Sequence, residues 1–204
     1  NTFIDSRIGL DRWSEYVKKF GLGSDLDFDI SNMSSGFVPS SEYYDGFYGK
    51  GRWKFSNIYS LSIGQGELLV TPIQMANFAS IIANRGYYYN PNIVTHINGK
   101  KTSNNQRKYL DIDKTHFDYV VDAMENVVMN GSARRAYMRE LTLCGKTSTV
   151  QNPHGYDHSG FIGFAPKNNP KIAIAAYIEN AGWGGRSAAS ISSVASEYYI
   201  YGKT

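Results

Sequence analysis

Cys144-Gly145-Lys146-Thr147-Ser148-Thr149-Val150-Gln151 runs directly into Asn152-Pro153-His154-Gly155-Tyr156-Asp157-His158-Ser159. The first eight residues are threonine-rich and read as a β-strand; the next eight carry the Asn, Pro, Gly and Asp that turn a chain. Two more strand candidates follow, residues 159–165 and 172–179, across connections short enough for antiparallel hairpins. This stretch therefore opens an antiparallel meander over residues 141–179. It also places a lysine and three hydroxyl residues on four consecutive positions, one cation and several donors for an anionic ligand lying along the strand.

The segment after the meander reads as a helix with Ile191, Val194, Ala195 and Tyr198 on one face. Upstream, Thr71-Pro72-Ile73-Gln74 is a strong helix start, with Thr at the N-cap, Pro at the first helical position and Gln closing a capping box. That helix is expected to run to Gly86. Its polar residues Asn77, Ser80 and Asn84 form one stripe in an otherwise apolar sequence, which predicts a central helix buried on most sides. Residues 87–97 are β-like and 98–106 form a polar turn, a candidate hairpin tip. Thr115 is placed to cap a further helix with Phe117, Val120, Val121, Met124 and Val128 as its stripe, ending near Gly131.

Near the start, Trp13, Tyr16, Val17 and Phe20 predict a short amphipathic helix, with Asp11 as its cap and Gly21 as its stop. Residues 21–52 are rich in Gly, Ser, Asp and Tyr and read as a long surface excursion. Phe37, Tyr43, Tyr44, Phe47 and Tyr48 imply that it packs down, although aromatics between Phe37 and Tyr59 would also suit a partner surface. The pattern is α+β, helices laid on an antiparallel sheet, in one domain over residues 1–204 and without internal repeats.

The 204 residues, 42% hydrophobic, suffice for one core. Lys plus Arg is 21 against 18 Asp plus Glu, scattered along the chain, which gives no argument for nucleic acid or an anionic membrane surface. Cys144 is the one cysteine, so no intrachain disulfide forms and compartment is not legible from cysteine usage. No apolar run approaches the roughly 20 residues of a membrane-spanning helix. The chain opens on Asn1-Thr2-Phe3 without an initiating Met or a signal-peptide pattern, which suggests a piece of something longer.

Other chemistry has a plainer counterpart at each position. Cys144 with His154 and His158 would make a Cys/His nucleophile pair, against a small buried hydrophobe. His154, Asp157 and His158 would make a metal site, against side chains that hydrogen-bond a loop into shape. Gly64-Gln65-Gly66 would be a phosphate loop, but no Gly-Lys-Ser/Thr follows, so it reads as a tight turn feeding the buried helix.

Ser62-Ile63-Gly64-Gln65-Gly66-Glu67 leading to Thr71-Pro72-Ile73-Gln74-Met75-Ala76, followed by Gly145-Lys146-Thr147, Gln151-Asn152-Pro153-His154-Gly155 and Asp157-His158-Ser159, closely resembles the transpeptidase domain of class B penicillin-binding proteins. The resemblance covers essentially the whole chain and is nearest to the elongation-type branch, the penicillin-binding protein 2 enzymes. It implies part of the penicillin-binding protein/β-lactamase-like fold, with three motifs around the site: Ser-x-x-Lys, Ser-x-Asn and Lys-Thr-Gly. Lys146 and Thr147 would belong to the third, Thr149 would help hold a carboxylate, and Asn1 would be the asparagine of the second. His154, Asp157 and His158 would support the site from behind. No cofactor or metal is implied.

Two departures stand out. No serine in this chain is followed three residues later by lysine, so the nucleophile and its base would lie upstream. Ser148 stands where the family has glycine; its Cβ and hydroxyl either take up room needed for close approach or add a hydrogen bond. The resemblance implies peptidoglycan crosslinking through a serine ester. A D-alanyl-D-alanine stem peptide would acylate the serine, a neighbouring stem's amine would take the acyl group, and β-lactams would acylate the same serine. Lys146 would supply field, and a backbone N–H near Thr149 would hold the oxyanion. It further implies a periplasmic domain, an upstream anchor in the inner membrane and a cell-wall elongation complex. The alternatives are a β-lactamase or D,D-carboxypeptidase on the same fold, or a non-catalytic sensor with a loosened site.

Overall fold

In the computed structural model, which describes residues 9–102 and 106–202, helix α1 (Leu10–Lys19) begins at Gly9 without a side-chain cap. Asp11 lies inside the first turn instead. Its carboxylate accepts the backbone N–H of Ser41 at 2.8 Å and the Ser41 hydroxyl, fastening α1 to the excursion. Leu10 and Ser14 are the buried side chains of α1. Trp13, Val17 and Phe20 line an open apolar groove of about 600 Å³ with Phe78.

The excursion is more regular than its composition suggested. It contains α2 (Ser41–Tyr48), capped by Ser40, and is followed by the short α3 (Phe55–Ile58) and a 3₁₀ turn over Tyr59–Ile63. Tyr44 is fully buried with Leu10, Ile58 and Leu61, and its hydroxyl donates to Glu67 at 2.7 Å. Phe47, by contrast, is 70% exposed.

Helix α4 (Pro72–Ala83) starts with the expected capping box. Gln74 N–H donates to Thr71 Oγ1 and Thr71 N–H to Gln74 Oε1. The helix stops at Asn84, slightly before Gly86. Gln74 is also buried, and its amide donates to the carbonyls of Ser24 at 2.9 Å and Ser35 at 2.8 Å. One side chain thus closes the helix start and ties down the excursion. An outlying ribbon follows: β1 (Tyr87–Tyr88) pairs with β4 (Lys108–Tyr109), and β2 (His96–Ile97) with β3 (Lys100–Lys101). Asn98-Gly99 forms the tip, both residues at positive φ as a two-residue hairpin turn requires.

Helix α5 (Lys114–Met129) is capped by Asp113, not Thr115. The Asp113 carboxylate accepts the Thr115 N–H at 2.8 Å and its hydroxyl at 2.7 Å, so the threonine serves the cap from inside the helix. Phe117, Val121, Met124 and Val128 are buried, while Val120 faces solvent.

The meander consists of β5 (Cys144–Val150), β6 (His158–Ala165) and β7 (Ile172–Ile178), antiparallel in that order, with Ser148 opposite Gly160 and Thr149 opposite Ser159. Helices α4 and α5 cover one face; Cys144 and Phe164 pack there with Ile82, Val121 and Met124. Helix α6 (Ala188–Tyr201) covers the other, where Phe161 packs with Leu143, Ala188 and Ala189. Helix α6 buries its small residues, Ala188, Ala189, Ser192, Ser193 and Ser196. The apolar face of Ile191, Val194 and Tyr198 points outward, these three being 56%, 51% and 62% exposed. Small side chains let the helix approach the sheet closely over the Phe161 ring. Among the described residues no helix is long and apolar enough to cross a membrane.

Candidate active site

Strand β5 is the edge of its sheet, so alternate backbone amides and carbonyls along it point away from β6. Its side chains alternate between two environments. Ser148 and Val150 face a cleft of about 610 Å³, whose far wall is the run of residues 64–72 and the first turn of α4. Gly64, Gln65 and Gly66 line that wall, so they serve as the turn expected of them and also border the cleft. Lys146 is exposed, and its ammonium donates to the Thr147 carbonyl at 2.8 Å.

Thr147 and Thr149 face the other way. The Thr147 hydroxyl lies 2.7 Å from that of Ser132, and Thr149 Oγ1 accepts the N–H of Gly184 at 3.3 Å. The loop between β7 and α6 is stapled to the strands at several points. Gly182 N–H donates to the Asp157 carbonyl at 2.8 Å. Ser159 Oγ accepts the Ala188 N–H at 3.0 Å and donates to the Trp183 carbonyl at 3.2 Å. Gly184 lies so close over β5 that a Cβ there would collide with the Ser148 carbonyl, and one on Gly185 with the Ser132 carbonyl. Just before them Trp183 stands 68% exposed, with the Arg186 guanidinium 5.6 Å from its ring.

Ser148 finds its room across the sheet. A Cβ on Gly160 would collide with Ser148 Oγ, so the glycine opposite supplies the space that the serine occupies. Ser148 and Gly160 both line the cleft.

The β5–β6 connection is held by polar contacts. Asp157 accepts the Asn152 N–H at 3.2 Å, and the Asn152 amide donates to Asn180 Oδ1 at 2.8 Å. His158 Nδ1 accepts the Asn180 N–H at 3.1 Å, which puts the ring proton of the neutral imidazole on Nε2. His154 enters through its backbone N–H, which donates to Asn152 Oδ1 at 3.0 Å. Asp157 and His158 therefore brace the hairpin, and the side chain of His154 points to solvent. Among the described residues no group of three His, Cys, Asp or Glu converges as a metal site would.

Cys144 forms no pair with these histidines. Val150 is the residue opposite His158, and Cys144 lies six positions back along the strand, about 20 Å away. Burial in the core pushes its thiol up to about 12, so it behaves as a small hydrophobe. Asn1 lies outside the described residues. The structure therefore carries Lys146, Thr147, Ser148 and Thr149 on one edge strand, a wall with Ser148 on its cleft side and Thr147 and Thr149 on the opposite side. It adds Ser132, Gly160 and the 182–185 loop, which periodicity and motif spacing did not reveal. Ser132 reads in sequence only as the residue after a helix-stopping glycine. Chemically, this wall offers a cation, hydroxyls and a free strand edge, suited to holding an extended anionic peptide.

The family model for the penicillin binding protein transpeptidase domain matches residues 3–197. Peptidoglycan D,D-transpeptidase MrdA of Acinetobacter baumannii is 29% identical over 217 residues, covering 97% of this chain and 32% of MrdA. MrdA of Escherichia coli K12 is 30% identical over 200 residues, covering 87% and 31%. The chain thus spans about a third of the length of the curated relatives it matches. The crystal structure of PBP2 from Pseudomonas aeruginosa superposes with a TM-score of 0.85 at 30% identity, covering 95% of this chain and 43% of that one. PBP2 of Helicobacter pylori, solved in complex with MreC, shares the fold with a TM-score of 0.82 at 23% identity, over 96% and 36% of the two chains.

Proposed function

Because the chain belongs to the penicillin-binding protein transpeptidase family, we propose that it forms the substrate-holding part of a peptidoglycan D,D-transpeptidase acylated by β-lactams. The observation that carries this reading is the open edge of β5, a strand that carries Lys146, Thr147 and Thr149 and turns Ser148 and Val150 toward the cleft. A stem peptide laid along that edge would pair with its free backbone groups, as added strands do. Its terminal carboxylate would take hydroxyl donors from the strand and feel the charge of Lys146.

The acylating serine and its lysine would come from a preceding part of the same polypeptide, since no Ser-x-x-Lys occurs in the 204 residues. In the first half-reaction the serine oxygen forms an ester with the penultimate D-alanine carbonyl and the terminal D-alanine leaves. In the second, an amine of a neighbouring stem forms the amide and the serine is released. Lys146 stabilises negative charge in both halves, and a β5 backbone N–H near Thr149 is suited to the oxyanion. Asn1 would assist proton transfer as the asparagine of Ser-x-Asn. We place the domain on the periplasmic side of the inner membrane, anchored upstream, within a cell-wall elongation complex; the PBP2–MreC complex of Helicobacter pylori supports that setting.

The alternative of a non-catalytic sensor turns on Ser148; Gly160 opposite gives its side chain room within the sheet. The test is to label the full polypeptide with a fluorescent penicillin. A covalent adduct on an upstream serine is expected, weakened at least roughly 100-fold in rate by Lys146→Ala, as loss of a charge-stabilising group at a transition state would do. No adduct on the unaltered polypeptide would end the transpeptidase reading. Rapid turnover of the adduct by water would favour a hydrolase instead.

A further inference from the structure

The contact at the end of α5 goes beyond the residues in the family motifs. Gly131 N–H and Ala133 N–H both donate to the Val127 carbonyl, at 3.2 and 3.0 Å, and Ala133 is fully buried. Ser132 is therefore fixed on both sides by the closing turn of the helix. Its carbonyl is packed against Gly185, where a Cβ would collide with it. From this clamped position its hydroxyl meets the Thr147 hydroxyl at 2.7 Å, across a sequence separation of 15 residues.

A threonine hydroxyl has one proton and two lone pairs. If Thr147 donated to Ser132, it would present lone pairs to an incoming carboxylate. If Ser132 donates to Thr147, the Thr147 proton is free to point along the strand edge, and the two bonds strengthen each other in series. An anionic ligand accepts only, so its arrival selects the second arrangement. The geometry points to Ser132 as a positioning residue that aims the Thr147 hydroxyl at the carboxylate of the stem peptide or β-lactam. This rests on the transpeptidase reading given above.

The test uses the full polypeptide and two probes, benzylpenicillin and its methyl ester, which lacks the anionic carboxylate. Ser132→Ala should slow acylation by the acid roughly 3- to 10-fold, the worth of one hydrogen bond. Ser132→Thr should recover most of that rate. With the ester the unaltered protein and Ser132→Ala should react alike, a difference that a general fold defect would not produce. Equal loss with acid and ester, or no loss with either, overturns the assignment of Ser132 while leaving the transpeptidase reading intact. Failure of the unaltered protein to form any adduct overturns both.

Discussion

A serine in place of glycine on an edge strand adds a Cβ and a hydroxyl beside the ligand path, and the residue opposite decides what that does. Here Gly160 leaves the space. Gly160→Val should therefore be poorly tolerated beside Ser148 and better tolerated with Ser148→Gly, with a coupling of roughly 1–2 kcal/mol in a double-mutant cycle. Thermal denaturation of the full polypeptide and the three variants measures it; strictly additive effects would show that the two positions do not share space. At this scale the site was half legible. Lys146, Thr147 and Thr149 declare themselves by residue type and spacing on one strand. Ser132 and Gly160 act through pairing with residues 15 and 12 positions away, and register of that kind has no local signature. The same limit explains Cys144 and His158, close in sequence yet at opposite ends of the β5–β6 pair.

Among the elements, α4 was read most accurately because its start is written in local chemistry, Thr71, Pro72 and Gln74 in the order a capping box needs. What local chemistry did not reveal is that Gln74 continues outward to two carbonyls of the excursion. Gln74→Leu would strand those carbonyls and the Thr71 N–H together, and should cost the full polypeptide about 2–4 kcal/mol. A fall in the denaturation midpoint at unchanged slope is the expected result; a loss below about 0.5 kcal/mol would mean that water replaces the amide without penalty. Helix α6 shows the opposite error source. Its apolar stripe is genuine, but the sheet selects the small-residue face because Phe161 already fills the space between them. Periodicity identifies that a helix has two faces, and packing volume chooses between them. Asp113 taking the cap from Thr115 is a similar near-miss, since both side chains suit a helix start and a shift of two residues separates them.

Over the fold as a whole, three apolar surfaces stand open among the described residues: the groove along α1, the cleft beside β5 and the outer face of α6. Exposed apolar surface of this kind marks places where a ligand or another part of the protein binds; the cleft beside β5 suits the first, and the groove along α1 and the outer face of α6 suit the second. Produced alone, the 204-residue chain should bind a hydrophobic dye strongly and self-associate, and supplying the preceding segment of the polypeptide in trans should suppress both. Weak dye binding by a cooperatively folding isolated chain would show that these surfaces need no cover. The α+β architecture itself was readable because each strand and helix carries its own period. The covering surfaces were not, because an exposed stripe and a buried one have the same sequence.

A strand edge that stands open, as that of β5 does, is open to any other strand, including the same edge of a second copy. Strand β5 meets that hazard with Lys146, whose ammonium rests on the Thr147 carbonyl, an acceptor on the strand that carries the site. A ligand carboxylate would compete with that carbonyl for the ammonium, whereas a neutral strand would not. On the proposed function, the charge that would receive an anionic peptide is also the one that discourages another strand from pairing along the same edge.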